Sequence, residues 1–134
     1  MSITYYASNR NLDYNFGSSA YSVPGTLYMG LSTSVIGNDG TGATEPSGGA
    51  YARVTVTNNK TNFGPAATGA LTNLTSINFV ESTTSWGTIT YIFFADAISG
   101  GNIWYFQSLS PSKIVQAYTT VVFAASALTI SMTN

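Results

Sequence analysis

Hydrophobic and polar residues alternate with the two-residue period of β-strands along most of the chain. Leu27, Met29 and Leu31 alternate with Tyr28 and Gly30, and Ser32-Thr33-Ser34 closes the run. Ala52, Val54 and Val56 alternate with Arg53, Thr55 and Thr57, which predicts aliphatic side chains inward and polar ones outward. Ile77 and Phe79 mark a shorter strand. Residues 86–94 become apolar on both faces toward Phe93-Phe94, the pattern of a central strand covered on two sides. Ile103 to Leu109 repeats that character, and Gly100-Gly101-Asn102 before it is a hairpin signal. Lys113 to Ala117, Thr119 to Ala124 and Leu128 to Met132 complete about eight strands. The pattern predicts an all-β, single-domain antiparallel β-sandwich, jelly-roll-like, with one short N-terminal helix.

That helix is predicted from Ser8 as N-cap to Phe16, with Leu12 and Phe16 four residues apart and Gly17 just past the end. Phe16 reads as a staple onto the core. Residues 1–20 form an N-terminal segment expected to act as a contact arm, and residues 21–134 the sandwich. Two long loops, 37–49 with five glycines and 58–74 with Phe63 as its anchor, are expected to supply contact surface. No repeat or heptad period runs through the chain, so it contains no fibre shaft of its own.

Composition narrows the function. Charged residues are 7% of the 134, against roughly 25% in ordinary globular proteins. Histidine and cysteine are absent, which removes imidazole bases, thiolate nucleophiles, disulfides and most transition-metal sites. Four basic against five acidic residues leave no basic footprint for nucleic acid. No apolar run is long enough for a membrane-spanning helix, and the N-terminus lacks a signal-peptide pattern, so cytoplasmic synthesis is expected. So few charges give little self-repulsion and favour association, with a homotrimer as the expected state.

Catalytic readings find little support. Lys60 and Lys113 lie in polar contexts where a lysine is solvated. Asp13, Asp39, Glu45, Glu81 and Asp96 fall on separate elements, with no spacing that pairs two of them for glycoside hydrolysis. Asp13 and Asp96 are read as turn caps or as partners of Arg10 or Arg53. Asp39-Gly40-Thr41-Gly42 with Glu45 offers oxygen ligands but not the calcium-loop spacing, and reads as a tight glycine turn. Asn59-Lys60-Thr61 and Asn73-Leu74-Thr75 match the glycosylation sequon by chance. Neither enzyme activity nor a cofactor is expected.

The aromatics carry more weight. Tyr5, Tyr6, Tyr14 and Phe16 crowd the first sixteen residues, and Tyr buries a rigid face while keeping a polar tip. At least one of Tyr5 and Tyr6 is expected to point outward. Tyr5, Tyr6, Tyr14, Arg53 and Trp104 form the predicted partner interface. Arg53 is expected to pair with a carboxylate within or between protomers. If exposed, that pair contributes under ~1 kcal/mol.

Residues 27–33, 45–54 (Glu45-Pro46-Ser47-Gly48-Gly49-Ala50-Tyr51-Ala52-Arg53-Val54) and 85–91 (Ser85-Trp86-Gly87-Thr88-Ile89-Thr90-Tyr91) resemble blocks of a family of small tailed-bacteriophage virion proteins. So do Asp96-Ala97 through Gly100-Gly101-Asn102, and Phe123-Ala124 through Leu128-Thr129-Ile130. Members are often labelled tail fibre proteins. The chain departs from the family pattern at Tyr5-Tyr6, at Asn11 to Phe16 and at the bulky Ile103-Trp104-Tyr105-Phe106. The resemblance implies a non-enzymatic structural role on the particle surface, bound to the major capsid protein or to tail proteins. Three placements stand in order: a capsid decoration (cement) protein, a tail fibre or tail-adaptor component, and a host-glycan-binding receptor module.

Overall fold

A computed structural model describes residues 1–132. The chain runs β1 (Ser2–Ile3), α1 (Tyr5–Gly17), β2 (Thr26–Ser32), β3 (Val54–Thr57), β4 (Ala70–Thr72), β5 (Ile77–Asn78), β6 (Gly87–Ala95), β7 (Ile103–Val115), β8 (Val122–Phe123) and β9 (Thr129–Ser131). All described pairings are antiparallel. A five-stranded sheet in the order β1-β7-β6-β2-β3 forms one layer, and the two-stranded ribbons β4-β9 and β5-β8 form the other.

The alternation explains the layering. On one face of the large sheet Met29, Leu31, Ile89, Ile92, Phe94 and Val115 point at Phe63, Ile77, Phe79 and Leu128 of the second layer, and all are buried. This cluster is the core of an all-β sandwich. On the opposite face Phe93, Ala95, Ile103 and Phe106 are covered by Ile36. The segment carrying Ile36 is closed into a narrow hairpin by backbone bonds from Thr33 N to Thr44 O and from Gly37 N to Thr41 O, both 2.9 Å, and is tied to the start of α1 by Tyr5 N to Asn38 O at 2.7 Å. The glycine-rich loop is thus partly the cover of a second apolar layer, which is why β6 is apolar on both faces.

Three local features differ from the sequence reading. The expected strands 103–109 and 113–117 are one strand, β7. Its pairing with β6 jumps from Tyr91↔Ser108 to Ile89↔Lys113, so the intervening residues bulge out. Pro111 sits in that bulge, where its missing N–H breaks no ladder bond. Part of the expected loop 58–74 is strand β4. Its neighbour Asn73 is buried: its side-chain amide donates to Thr75 O and Ala124 O and accepts from Leu128 N, at 2.8–2.9 Å. That burial removes it as a glycosylation acceptor.

The third difference is the helix. It begins at Tyr5, capped by Thr4, whose Oγ1 accepts from Ala7 N at 3.4 Å and donates to Ile103 O at 2.7 Å. Ser8 is therefore inside the first turn, bonded back to Tyr5 O. With Ala7 turned inward against Ile3 and Trp104, Leu12 and Phe16 face outward. Phe16 is 87% exposed, so it is not a core staple. Ala7 is the helix's fully buried residue, packed with Ile3 and Trp104. Ser18 ends the helix in the left-handed region, its N–H bonded to Asp13 O.

Candidate functional site

The outer face of α1 is apolar. At about 100° per residue, Tyr5, Leu12 and Phe16 fall within about 40° of one another around the helix axis. They are 53%, 55% and 87% exposed. The inner face carries Tyr6, which meets Trp104 edge-on at 5.6 Å, and Arg10, whose guanidinium stands 4.7 Å from the Tyr6 ring and 5.7 Å from Tyr21. Tyr14, about 180° round the axis from Tyr5, lies on this same side, half exposed and edge-on to Tyr21 at 6.1 Å. The helix is thus held by aromatic packing on one side and presents a second apolar stripe to solvent on the other. Of the two adjacent tyrosines, Tyr5 points outward and Tyr6 inward.

Arg53 is placed differently from its expected outward, solvated position. It does face away from the main core, yet its side chain is only 6% exposed. Nε and Nη2 reach the two carboxylate oxygens of Glu45 at 2.9 and 2.8 Å, and Nη1 donates to Ala97 O and Gly100 O at 2.6 and 2.9 Å. The guanidinium also lies 5.0 Å from the centre of the buried Phe93 ring. The carboxylate partner comes from the same chain. Glu45 also accepts from the Tyr51 hydroxyl at 2.7 Å, and burial, reinforced by that carboxylate, pushes the Tyr51 phenol well above its ordinary range. The cluster ties loop 33–49 and the turn after β6 to the sheet.

Trp104 is also built inward, 8% exposed, with its indole N–H donating to Asp96 Oδ2 at 3.1 Å. Asp96 closes the β6–β7 turn by accepting from the Asn102 backbone and side chain at 2.8 and 3.0 Å. Gly101 has φ +71°, and a Cβ there would stand 2.5 Å from Asp96 Oδ1, so this turn requires glycine. Burial raises the Asp96 carboxyl pKa, but the bonds from Asn102 and Trp104 outweigh it and hold the group below its ordinary value. A depressed pKa stabilises the fold above the unfolded value and ceases to do so as pH falls through the folded one. Acidification below about pH 4 is therefore expected to loosen the 96–102 turn. The Trp104 indole N–H signal in an NMR pH titration checks this, and Asp96→Asn should remove that acid-dependent step.

The remaining candidates are dispersed. Asp39 accepts from Thr41 N and Thr41 Oγ1 at 3.0 and 2.8 Å, a closed turn, while Glu45 is committed to Arg53 and Tyr51. Among the described residues no three acidic side chains come together, and the one ion pair is Arg53–Glu45. Sequence reasoning passed over Leu12, because an i,i+4 pair with Phe16 reads equally well as a buried stripe. It also passed over the open end of the sandwich beside α1, a groove of about 470 Å³ walled by Tyr21, Tyr105, Asn11, Asn58 and Lys60.

A charge-poor antiparallel sandwich, with its polar groups spent on tying loops down and an apolar helix face left outside, belongs to the structural, assembly-forming class of proteins. The chain belongs to the family described as Podophage GP4 fiber I protein gp80, which matches residues 2–131. It is therefore a member of a phage virion structural family of the tail fibre kind. No curated protein matches the chain.

Proposed function

We propose that this protein is a small fibre-type component of a tailed-phage virion, seated on another virion protein through the outer face of α1. The carrying observation is the solvent-facing Tyr5–Leu12–Phe16 stripe. A lone exposed apolar residue is ordinary, but three aligned large side chains on a helix otherwise anchored by its inner face are the build of a helix that lies against a partner. Tyr14, on the other side of the helix against Tyr21, lies outside this footing. Arg53 and Trp104 act behind this surface, Trp104 by packing under α1 and Arg53 by fixing the loops of the opposite face.

Replacing Phe16 with Asp is expected to leave thermal stability within the equivalent of about 0.5 kcal/mol, because the residue is already in water. Assembly into particles should fall more than about 30-fold, the effect of removing a central anchor worth ~2 kcal/mol or more. Incorporation at the wild-type level would refute the docking role. Deleting the residues before Ser8 is a poorer test, since Met1 and Ile3 are buried and Thr4 caps the helix. Copy number per purified particle, by quantitative mass spectrometry, then separates placements. A few to a few dozen copies fit a fibre, whereas a ratio near one to one with the major capsid protein assigns it to the shell as a decoration protein. Sedimentation of the isolated protein tests the expected trimer, since low charge favours association but no particular number of copies.

A further inference from the structure

The groove beside α1 differs from the outer helix stripe in chemistry. Its floor is the open end of the core, where Phe94 and Phe63 meet. Its walls carry the tyrosine rings of Tyr21 and Tyr105, and its rim is amide-rich. Asn59 uses its side-chain oxygen on Thr61 N and Asn62 N, at 3.1 and 3.0 Å, which leaves the amide nitrogen without a partner among the described residues. Asn58 donates to Pro24 O at 2.8 Å and keeps its oxygen for a further bond. Lys60 gives one of its three ammonium protons to Gly64 O at 3.1 Å.

Charge decides the rest. Among the described residues lining the groove, Lys60 is the one charged side chain and no carboxylate joins it. Behind Tyr21, Arg10 is likewise without an ion-pair partner among the described residues, and its buried Nε makes no hydrogen bond. Two cations with no ion-pair partner among the described residues thus flank one aromatic wall, Arg10 resting on the rings of Tyr6 and Tyr21. A protein with so few charges has placed half of its basic residues here. The occupant that fits must offer an apolar face to the tyrosine rings, hydroxyl edges to the amides, and a negative charge to Lys60. A pyranose has C–H faces and hydroxyl edges, and a ring carboxylate supplies the charge. The volume lies in the range of small-molecule sites.

We propose that this groove binds a carboxylated sugar residue, with the ring against Tyr21 and Tyr105 and the carboxylate at Lys60. The site does not depend on what α1 contacts. A single sugar in a shallow groove binds weakly, in the millimolar range. The test is an NMR titration of the isotope-labelled full chain with sodium glucuronate, with glucose and sodium acetate as separate arms. The expected result is movement of the Tyr21, Asn58, Asn59 and Lys60 amide signals with glucuronate, several-fold smaller movement with glucose, and none with acetate. Lys60→Glu, at an exposed site that leaves the spectrum folded, should abolish the preference for glucuronate over glucose. Equal response to glucose, the same response to acetate, no movement at these residues, or a preference that survives Lys60→Glu would each overturn the proposal.

Discussion

Replacing Arg53 with alanine is expected to destabilise the protein by about 3 kcal/mol, the cost of breaking a buried hydrogen-bonded charge pair. At this chain length that corresponds to a fall in Tm of roughly 10 °C. The loss is this large because the guanidinium has four bonds and almost no exposure. Its removal leaves the Glu45 carboxylate with only the Tyr51 hydroxyl, and strips the Ala97 and Gly100 carbonyls of their donor. Water entering the vacated space replaces part of these bonds but not the fork geometry. Arg53→Lys should recover little, since an ammonium cannot span both carboxylate oxygens and both carbonyls at once. Calorimetric melting of the two variants checks the expectation. A loss below ~1 kcal/mol would mean that the guanidinium is solvated in solution, as the strand alternation alone predicts.

The second large effect is expected at Gly30. This residue pairs directly with Phe93 across β2 and β6, and the Phe93 ring lies over the position a side chain would take. A Cβ at Gly30 would stand 2.2 Å from the ring's Cζ and 2.7 Å from both Cε atoms. Phe93 cannot yield, because it is fully buried with the Arg53 guanidinium beside it. Gly30→Ala should therefore cost about 3 kcal/mol by overpacking, and Gly30→Val more. Aromatic residues over strand glycines are a known device for filling the space that glycine leaves. Phe93→Leu, destabilising alone, should restore part of the stability of Gly30→Ala by making room. Urea unfolding of the single and double variants measures this. Simple additivity of the two losses would show that ring and glycine do not compete for one space.

These two residues also mark the boundary of what the sequence could tell. Strands 27–31 and 86–94, and the hairpin at Gly100-Gly101-Asn102, are legible because period-two alternation and glycine turns are local signals. The sandwich class follows from them. Alternation assigns Arg53 to the sheet face away from the main core correctly, but it takes that face to be wet. Nothing local in the sequence says that loop 33–49 folds back and covers it. The ribbons β4-β9 and β5-β8 are two or three residues long, too short to carry a period, so their pairing is fixed only by the core they close. Phe16 was misread for a related reason: Leu12 and Phe16 share a helix face wherever the helix begins, and only the packing of Ala7 and Trp104 decides which way that face turns. That at least one of Tyr5 and Tyr6 faces outward is legible in the sequence, but which one is decided by the helix that begins at Tyr5 and turns Tyr6 onto Trp104.

The placement of β1 has a consequence for how the molecule comes into being. Ser2 and Ile3 pair with Phe106 and Tyr105, and Ser131 N donates to Met1 O at 3.2 Å. The residues of β1 therefore find their partners about a hundred positions further along the chain. Pairings so far apart in sequence close late in folding, and until β7 joins the sheet α1 has no Trp104 to rest on. The helix stripe and the uncovered strand edge are then both open to neighbouring chains. Contacts between incompletely folded copies therefore compete with completion of the fold until this long-range pairing closes.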